Sequence, residues 1–280
     1  MNERDPATKR DNSNKYGLTR DIPNDVARQV RQRDGFGCVI CGNAFYIYEH
    51  FDPRFVEAKK HDPDGICLLC GTCERRKTSK LLSTESVKNA VIHPRCKEDG
   101  FSWGSLDIGT EHPEIILGSF TAYKVKVLVE IDGEEIFSVL PPERLGGPFR
   151  INARLSDPDG KPILEIVENE WRTFSENWDV ELVGPRLSVR RNPGEIIMIL
   201  RSEPPHRVVV ERLQMQHRGT SIEAQEGRDI IVRTAGGAEF RGFGYRGEEC
   251  DVGIQVSSSG LAIGVRCSRG SISSGSIRSP

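Results

Sequence analysis

Two Cys-x-x-Cys pairs constrain this chain more than any other feature: Cys38 with Cys41, and Cys70 with Cys73. Each pair can present two thiolates to one ion, and two pairs complete the closed tetrahedral shell of a structural zinc site. The 28 residues from 42 to 69 separate the pairs, against roughly 15–20 in a simple zinc ribbon. A sizeable segment is therefore looped out between them, and it carries Glu49-His50 at the end of the strand-like run YIYEH. The polar start, MNERDPATKRDNSNKYG, has no apolar stretch of the secretory kind. A reducing, cytoplasmic setting is the expectation, in which paired cysteines favour metal over disulfide. Cys67, Cys96, Cys250 and Cys267 read as free thiols, with Cys67 in CLLCGTC a competitor of Cys70 for the ion.

At 280 residues the chain can build one large or two ordinary domains, and 36% hydrophobic with 29% charged residues describes a soluble globular protein. No apolar run approaches the roughly 20 residues that span a bilayer. The net charge of −2 argues against nucleic-acid binding by the whole surface. Charge is uneven, however: residues 1–100 carry 18 Lys/Arg against 15 Asp/Glu, and the remainder 21 against 26. Basic clusters form at Arg28, Arg31 and Arg33 and again at Arg75, Arg76, Lys77 and Lys80.

Residues 1–20 read as a polar arm. A helix is predicted over about 23–34, from Val26 and Val30 at i and i+4 and Gly35 as its stop. FYIYEH alternates like a strand, Cys73 to Leu82 reads as a short basic helix, and Ser83 is placed to cap another running to about Val91. Gly and Pro recur over 93–114, which reads as a linker. From Ile115 the texture becomes short strands. VKVLVEI-DG-EEIFSV predicts a hairpin turning at Asp132-Gly133, and a looser one is expected around Asp157 to Gly160. Strand-like runs follow every 10–20 residues, the rhythm of a sandwich, barrel or solenoid over 115–270, before a Ser/Gly-rich tail at 271–280. Trp171 and Trp178 flank a candidate ligand surface but read first as core.

Residues 20–90 resemble the HNH endonuclease family. The approach IP-x-x-V-x-x-x-V-R-x-R-D-G-F-x-C-x-x-C-G, the Glu49-His50 pair and the closing L-L-C-G-T-C-x-x-x-K-T carry the likeness. The resemblance implies a small zinc-bound ββα-metal domain at 21–92 and says nothing about residues 115–280; with the strand rhythm there, the expectation is an α+β protein whose second domain is all-β, sandwich or solenoid-like. It puts the water-activating base on His50 and a divalent-metal ligand on Glu49. The family's Asn falls on Gly65, and its final His falls on Glu74. Asp64 could supply the missing Asn's role, and Glu74 could replace an imidazole ligand. Glu49 and Glu74 are hard oxygen donors that suit catalytic Mg²⁺ or Mn²⁺. His61 is a weaker second histidine, and Asp52 and Asp64 read as turn formers.

The implied activity is metal-dependent phosphodiester hydrolysis of nucleic acid, DNA first and RNA second, with contacts from Arg28, Arg31, Arg75, Arg76, Lys77 and Lys80. The alternative is an inactive zinc module that binds nucleic acid or a protein partner. The β-rich part would then target the module or self-assemble. No membrane partner is expected.

Overall fold

Helix α1 (Asn24–Asp34) forms where the Val26/Val30 spacing predicts it. Asp25 lies in its first turn and Arg31 and Arg33 in its last, each matching the sign that the helix dipole favours. Gly35 ends it with a φ of 77°, donating its amide hydrogen to the Arg31 carbonyl. The computed structural model describes residues 13–257, 260–271 and 274–278, so the first twelve residues of the expected arm, and residues 272, 273, 279 and 280 of the expected tail, lie outside the described residues.

Strands β1 (Tyr46–His50) and β2 (Ile66–Cys70) pair antiparallel, from Tyr46↔Cys70 to His50↔Ile66. All five residues of β2 are buried. Ile66 and Leu68 pack with Val30 of α1, whereas Cys67 and Leu69 pack with Cys38, Val39 and Val87. That is the period of two that a strand imposes. Helix α2 (Gly71–Thr78) starts directly from Cys70, and α3 (Thr84–Ile92) is capped by Ser83, whose hydroxyl accepts from the Ser86 amide. The stretch 93–114, expected as a linker, carries α4 (Arg95–Asp99) and β3 (Phe101–Ser105).

The rest of the described chain is mostly strand, so the molecule is mostly β with few helices, all within the first hundred described positions. In order come β4 (Glu114–Leu117), β5 (Phe120–Tyr123), β6 (Val127–Ile131), β7 (Glu134–Leu140) and β8 (Arg150–Ser156). They are followed by β9 (Pro162–Val167), β10 (Glu170–Phe174), β11 (Asp179–Val183), β12 (Arg186–Asn192) and β13 (Glu195–Glu203). Next are β14 (Arg207–His217), β15 (Thr220–Gln225), β16 (Ile230–Arg233) and β17 (Glu239–Phe243). The last are β18 (Arg246–Ser257), β19 (Gly260–Ser271) and β20 (Ser274–Arg278).

Neighbouring strands pair antiparallel from β6 to β10 and from β11 to β17. The β6–β7 turn is at Asp132-Gly133, both with positive φ (48° and 78°), as a two-residue hairpin with the right-handed strand twist requires. At the second predicted turn Asp157 Oδ1 accepts from the amides of Asp159 and Lys161. Parallel pairings between distant segments join the hairpins into one network: β4 lies beside β14 (Ile115↔Val208), and β5 and β6 lie beside β18 (Ile254↔Val129).

One correction concerns cysteine chemistry. Cys250, expected as a free thiol, is disulfide-bonded. The β18–β19 register sets Cys267 opposite it, a proximity made by strand pairing and invisible in the spacing. Cys67 and Cys96 are free and buried, as expected.

The helical part is bolted to the sheet. Strand β3 pairs with β10 (Gly104↔Trp171) and also bonds to the Cys38–Cys41 turn: the Trp103 amide donates to Gly42 O, and the Ala44 amide to Trp103 O. Arg31 of α1 makes a two-pronged bond to Asp179 of β11, with Nε–Oδ1 and Nη2–Oδ2 both 2.8 Å. Gln32 donates to Trp178 O, and Phe36 and Ala44 belong to the apolar core that fills the sheet.

Candidate functional site: a four-cysteine centre and a histidine pair

Cys38 and Cys41 occupy the tight turn after α1, where Gly42 has a φ of 79° and donates to Cys38 O. Cys70 closes β2, and Cys73 lies in the first turn of α2 with its amide hydrogen aimed at Cys70 Sγ. The four Sγ atoms lie within 4.8 Å of one another, with Cys41–Cys70 at 3.6 Å and Cys41–Cys73 at 3.9 Å. Zinc–sulfur bonds of about 2.3 Å imply tetrahedral edges of about 3.8 Å, so the spacing suits an ion such as zinc.

Hydrogen bonding with Cys41 holds the Cys38 thiol down to about 5, and the same contact pushes Cys41 up. Burial pushes Cys73 up to about 12. Cys38 thus supplies a thiolate at neutral pH, and a dication would draw the protons off Cys41 and Cys73. Cys67 is outside the quartet, buried within β2 opposite Glu49, so it does not compete with Cys70. Cys96 packs behind the turn, with Sγ 3.7 Å from Gly42 O.

His50 ends β1 at 8% exposure. Its Nε2 lies 3.1 Å from His61 Nδ1, and the Phe55 ring meets it edge-on at 5.3 Å between centroids. Burial lowers its pKa to about 4, helped by the neighbouring His61 and Arg20, so the ring is neutral at pH 7. His61 is the functional candidate that sequence reasoning weighted least. Its signal was the second histidine of the 50–61 interval, and only folding shows that the two meet.

Glu49 and Glu74 do not come together as a cation site. Glu49 Oε1 accepts from Lys77 Nζ at 2.6 Å, and Glu74 Oε1 accepts from Thr78 Oγ1 at 2.7 Å. Among the described residues, the cysteine quartet alone brings three or more metal-ligating side chains together. The expected Mg²⁺ or Mn²⁺ site is therefore not formed by these donors: an ammonium group already neutralises Glu49, and Glu74 bonds within its own helix. Asp52 pairs with Lys88, and the Asp64 amide donates to Asp62 in a turn, so both aspartates shape the loop.

The six expected nucleic-acid contacts divide. Arg75, Arg76 and Lys80 are exposed on and just after α2. Lys77 is engaged with Glu49. Arg31 is a correction: at 3% exposure it faces inward to Asp179, and Arg28 follows it, 3.6 Å from Asp179 with its guanidinium over Trp178. A buried carboxylate such as Asp179 demands compensating cations, and Arg190 of β12 supplies another at 3.2 Å. Trp171 is core, as expected, with Phe45 edge-on against it.

No protein-family model, curated protein or solved structure matches this chain.

Proposed function

We propose that residues 46–80 form an HNH-type centre for phosphodiester hydrolysis of nucleic acid, with His50 as the base and zinc as the ion of the four sulfurs. The observation that carries this reading is the placement of a neutral histidine at the end of β1, against a second histidine, in a hairpin-and-helix unit tied by the quartet. Four protein ligands leave zinc no open position, so its role is to hold β2, α2 and the Cys38–Cys41 turn in place.

His50 takes a proton from the water that attacks phosphorus, the P–O bond to the leaving sugar oxygen breaks, and that oxygen takes a proton from solvent. Arg75 and Arg76 hold phosphate oxygens against the developing negative charge, while Lys77 stays paired with Glu49. No step is assigned to a second metal ion, because Glu49 and Glu74 are otherwise engaged. DNA is the first substrate to test and RNA the second, and a cytoplasmic location belongs to the same reading. The β-rich part would target or assemble this centre.

The deciding experiment incubates supercoiled plasmid, single-stranded DNA and RNA with Mn²⁺, with Mg²⁺ and with EDTA. Wild type is expected to cut, and His50→Ala to lose about 10²–10⁴-fold in rate. Glu74→Ala is expected to retain most activity, since Glu74 bonds only to Thr78. Equal cutting by wild type and His50→Ala would sink the reading.

The Glu49–Lys77 bond favours a second reading, a zinc module that binds nucleic acid or a protein without cleaving. Salt-dependent binding that persists in EDTA and ignores His50→Ala, with no cutting by any protein, would establish it.

A further inference from the structure

We propose that His61 is the positioning residue of this centre: it accepts the Nε2–H of His50 and leaves His50 Nδ1 as the basic nitrogen. The catalytic consequence rests on the phosphodiesterase reading; the hydrogen bond itself does not.

At 3.1 Å, His50 Nε2 and His61 Nδ1 share a single proton, so one ring donates and the other accepts. Which ring nitrogen stays basic is set by the bond the other nitrogen makes. Two observations decide the direction. Among the described residues no protein group bonds to His50 Nδ1, and that atom is not one of the buried side-chain atoms left without a partner, whereas His61 Nε2 is. His50 Nδ1 is therefore the ring atom of His50 that water can reach. Were the proton on Nδ1, the lone pair of His50 would point into His61, sealed from any water it could activate.

The second argument is intrinsic to imidazole, whose neutral side-chain form favours the Nε2–H tautomer. The proposed direction gives both rings that form, and the reverse direction denies it to both. What remains is the buried Nε2–H of His61, a donor with no protein acceptor, which a water or a phosphate oxygen can satisfy.

The loop explains why a histidine does this work. A Cβ on Gly65 would lie 2.4 Å from the Asp52 carbonyl oxygen, so no side chain fits at Gly65 without moving backbone. An orienting group has to come from elsewhere in the loop. It comes from four residues upstream, where the turn at Asp62 to Gly65, closed by the Gly65 amide on Asp62 O, holds His61 against His50.

The test is imidazole ¹⁵N NMR of the zinc-loaded full chain, comparing wild type with His61→Phe, which keeps a ring but loses the acceptor, and His61→Asn, which offers a carbonyl acceptor. Wild-type His50 is expected to show a protonated Nε2 and a bare Nδ1, His61→Phe a mixture of tautomers, and His61→Asn a return toward wild type. A protonated Nδ1 in the wild type would overturn the proposal, as would a His50 spectrum unchanged in His61→Phe. Should His61→Phe unfold the loop, the wild-type spectrum alone decides. In the plasmid assay His61→Phe should lower kcat about 10–100-fold with KM unchanged, and His61→Asn should recover part of it. A wild type that cuts nothing would overturn the assigned activity, while the spectrum still reports where the proton lies.

Discussion

Gly65 shows how a single missing side chain can be a requirement of the backbone. The family resemblance places an asparagine there, and restoring it looks like a repair. The Asp52 carbonyl 2.4 Å from the would-be Cβ predicts the reverse. Gly65→Asn should destabilise the chain by about 1–3 kcal/mol, as overpacking does, and should not raise activity; urea unfolding beside the plasmid assay measures both. His50 carries a pH signature of its own. Its pKa is about 4 in the fold against an ordinary 6.5, so the unfolded chain binds that proton more readily. Stability is then full above about pH 6.5 and declines as pH falls toward 4. Wild type should therefore lose on the order of 1–2 kcal/mol more than His50→Gln between pH 7.5 and pH 5 in urea titrations. The four cysteines were legible because their spacing along the chain already names their chemistry. That Lys77 would occupy Glu49, and His61 would meet His50, was not, since both pairings depend on how the loop closes.

Helix α1 was legible as an element and misread as a surface. Val26 and Val30 announced its apolar face, and its arginines suggested a solvated or phosphate-binding one. The acceptor of Arg31 lies 148 residues away on β11, beyond the reach of any local pattern. The alternation of Asp179 and Glu181 within one strand was the faint signal: both point toward Arg31 and Arg190. Because Asp179 is wholly buried, Arg31→Ala should cost about 3–5 kcal/mol by leaving that carboxylate undercompensated. The pair Arg31→Met with Asp179→Leu should cost less than the sum of the single changes, which a double-mutant cycle in urea would show. Among the strands, the β6–β7 hairpin was legible from Asp132-Gly133 alone. The parallel pairings of β4 with β14 and β6 with β18 were not, because sequence distance carries no mark of partnership.

The molecule as a whole joins its zinc unit to its sheet through core as well as charge. Phe36 and Ala44, which flank the Cys38–Cys41 turn, lie in the same apolar cluster as Trp171 and Leu187. Loss of the ion should therefore be felt beyond residues 20–90. Native mass spectrometry should find one zinc per chain, and Cys38→Ser or a strong chelator should lower the unfolding temperature of the sheet along with that of the helices. Two separate thermal transitions, with the second unmoved by chelator, would contradict this coupling.

Strand β3 has a consequence for how such a molecule reads a polymer. It is paired to β10 on one side and zipped to the cysteine turn on the other, so no free tether lies between the histidines and the sheet. A cutting unit on a flexible leash samples many positions along a duplex and leaves a scatter of ends. One mounted on a rigid bracket works as a gauge. If the sheet grips nucleic acid, breaks should fall at one set offset from the gripped site, and sequencing of the cut ends would show a narrow distribution.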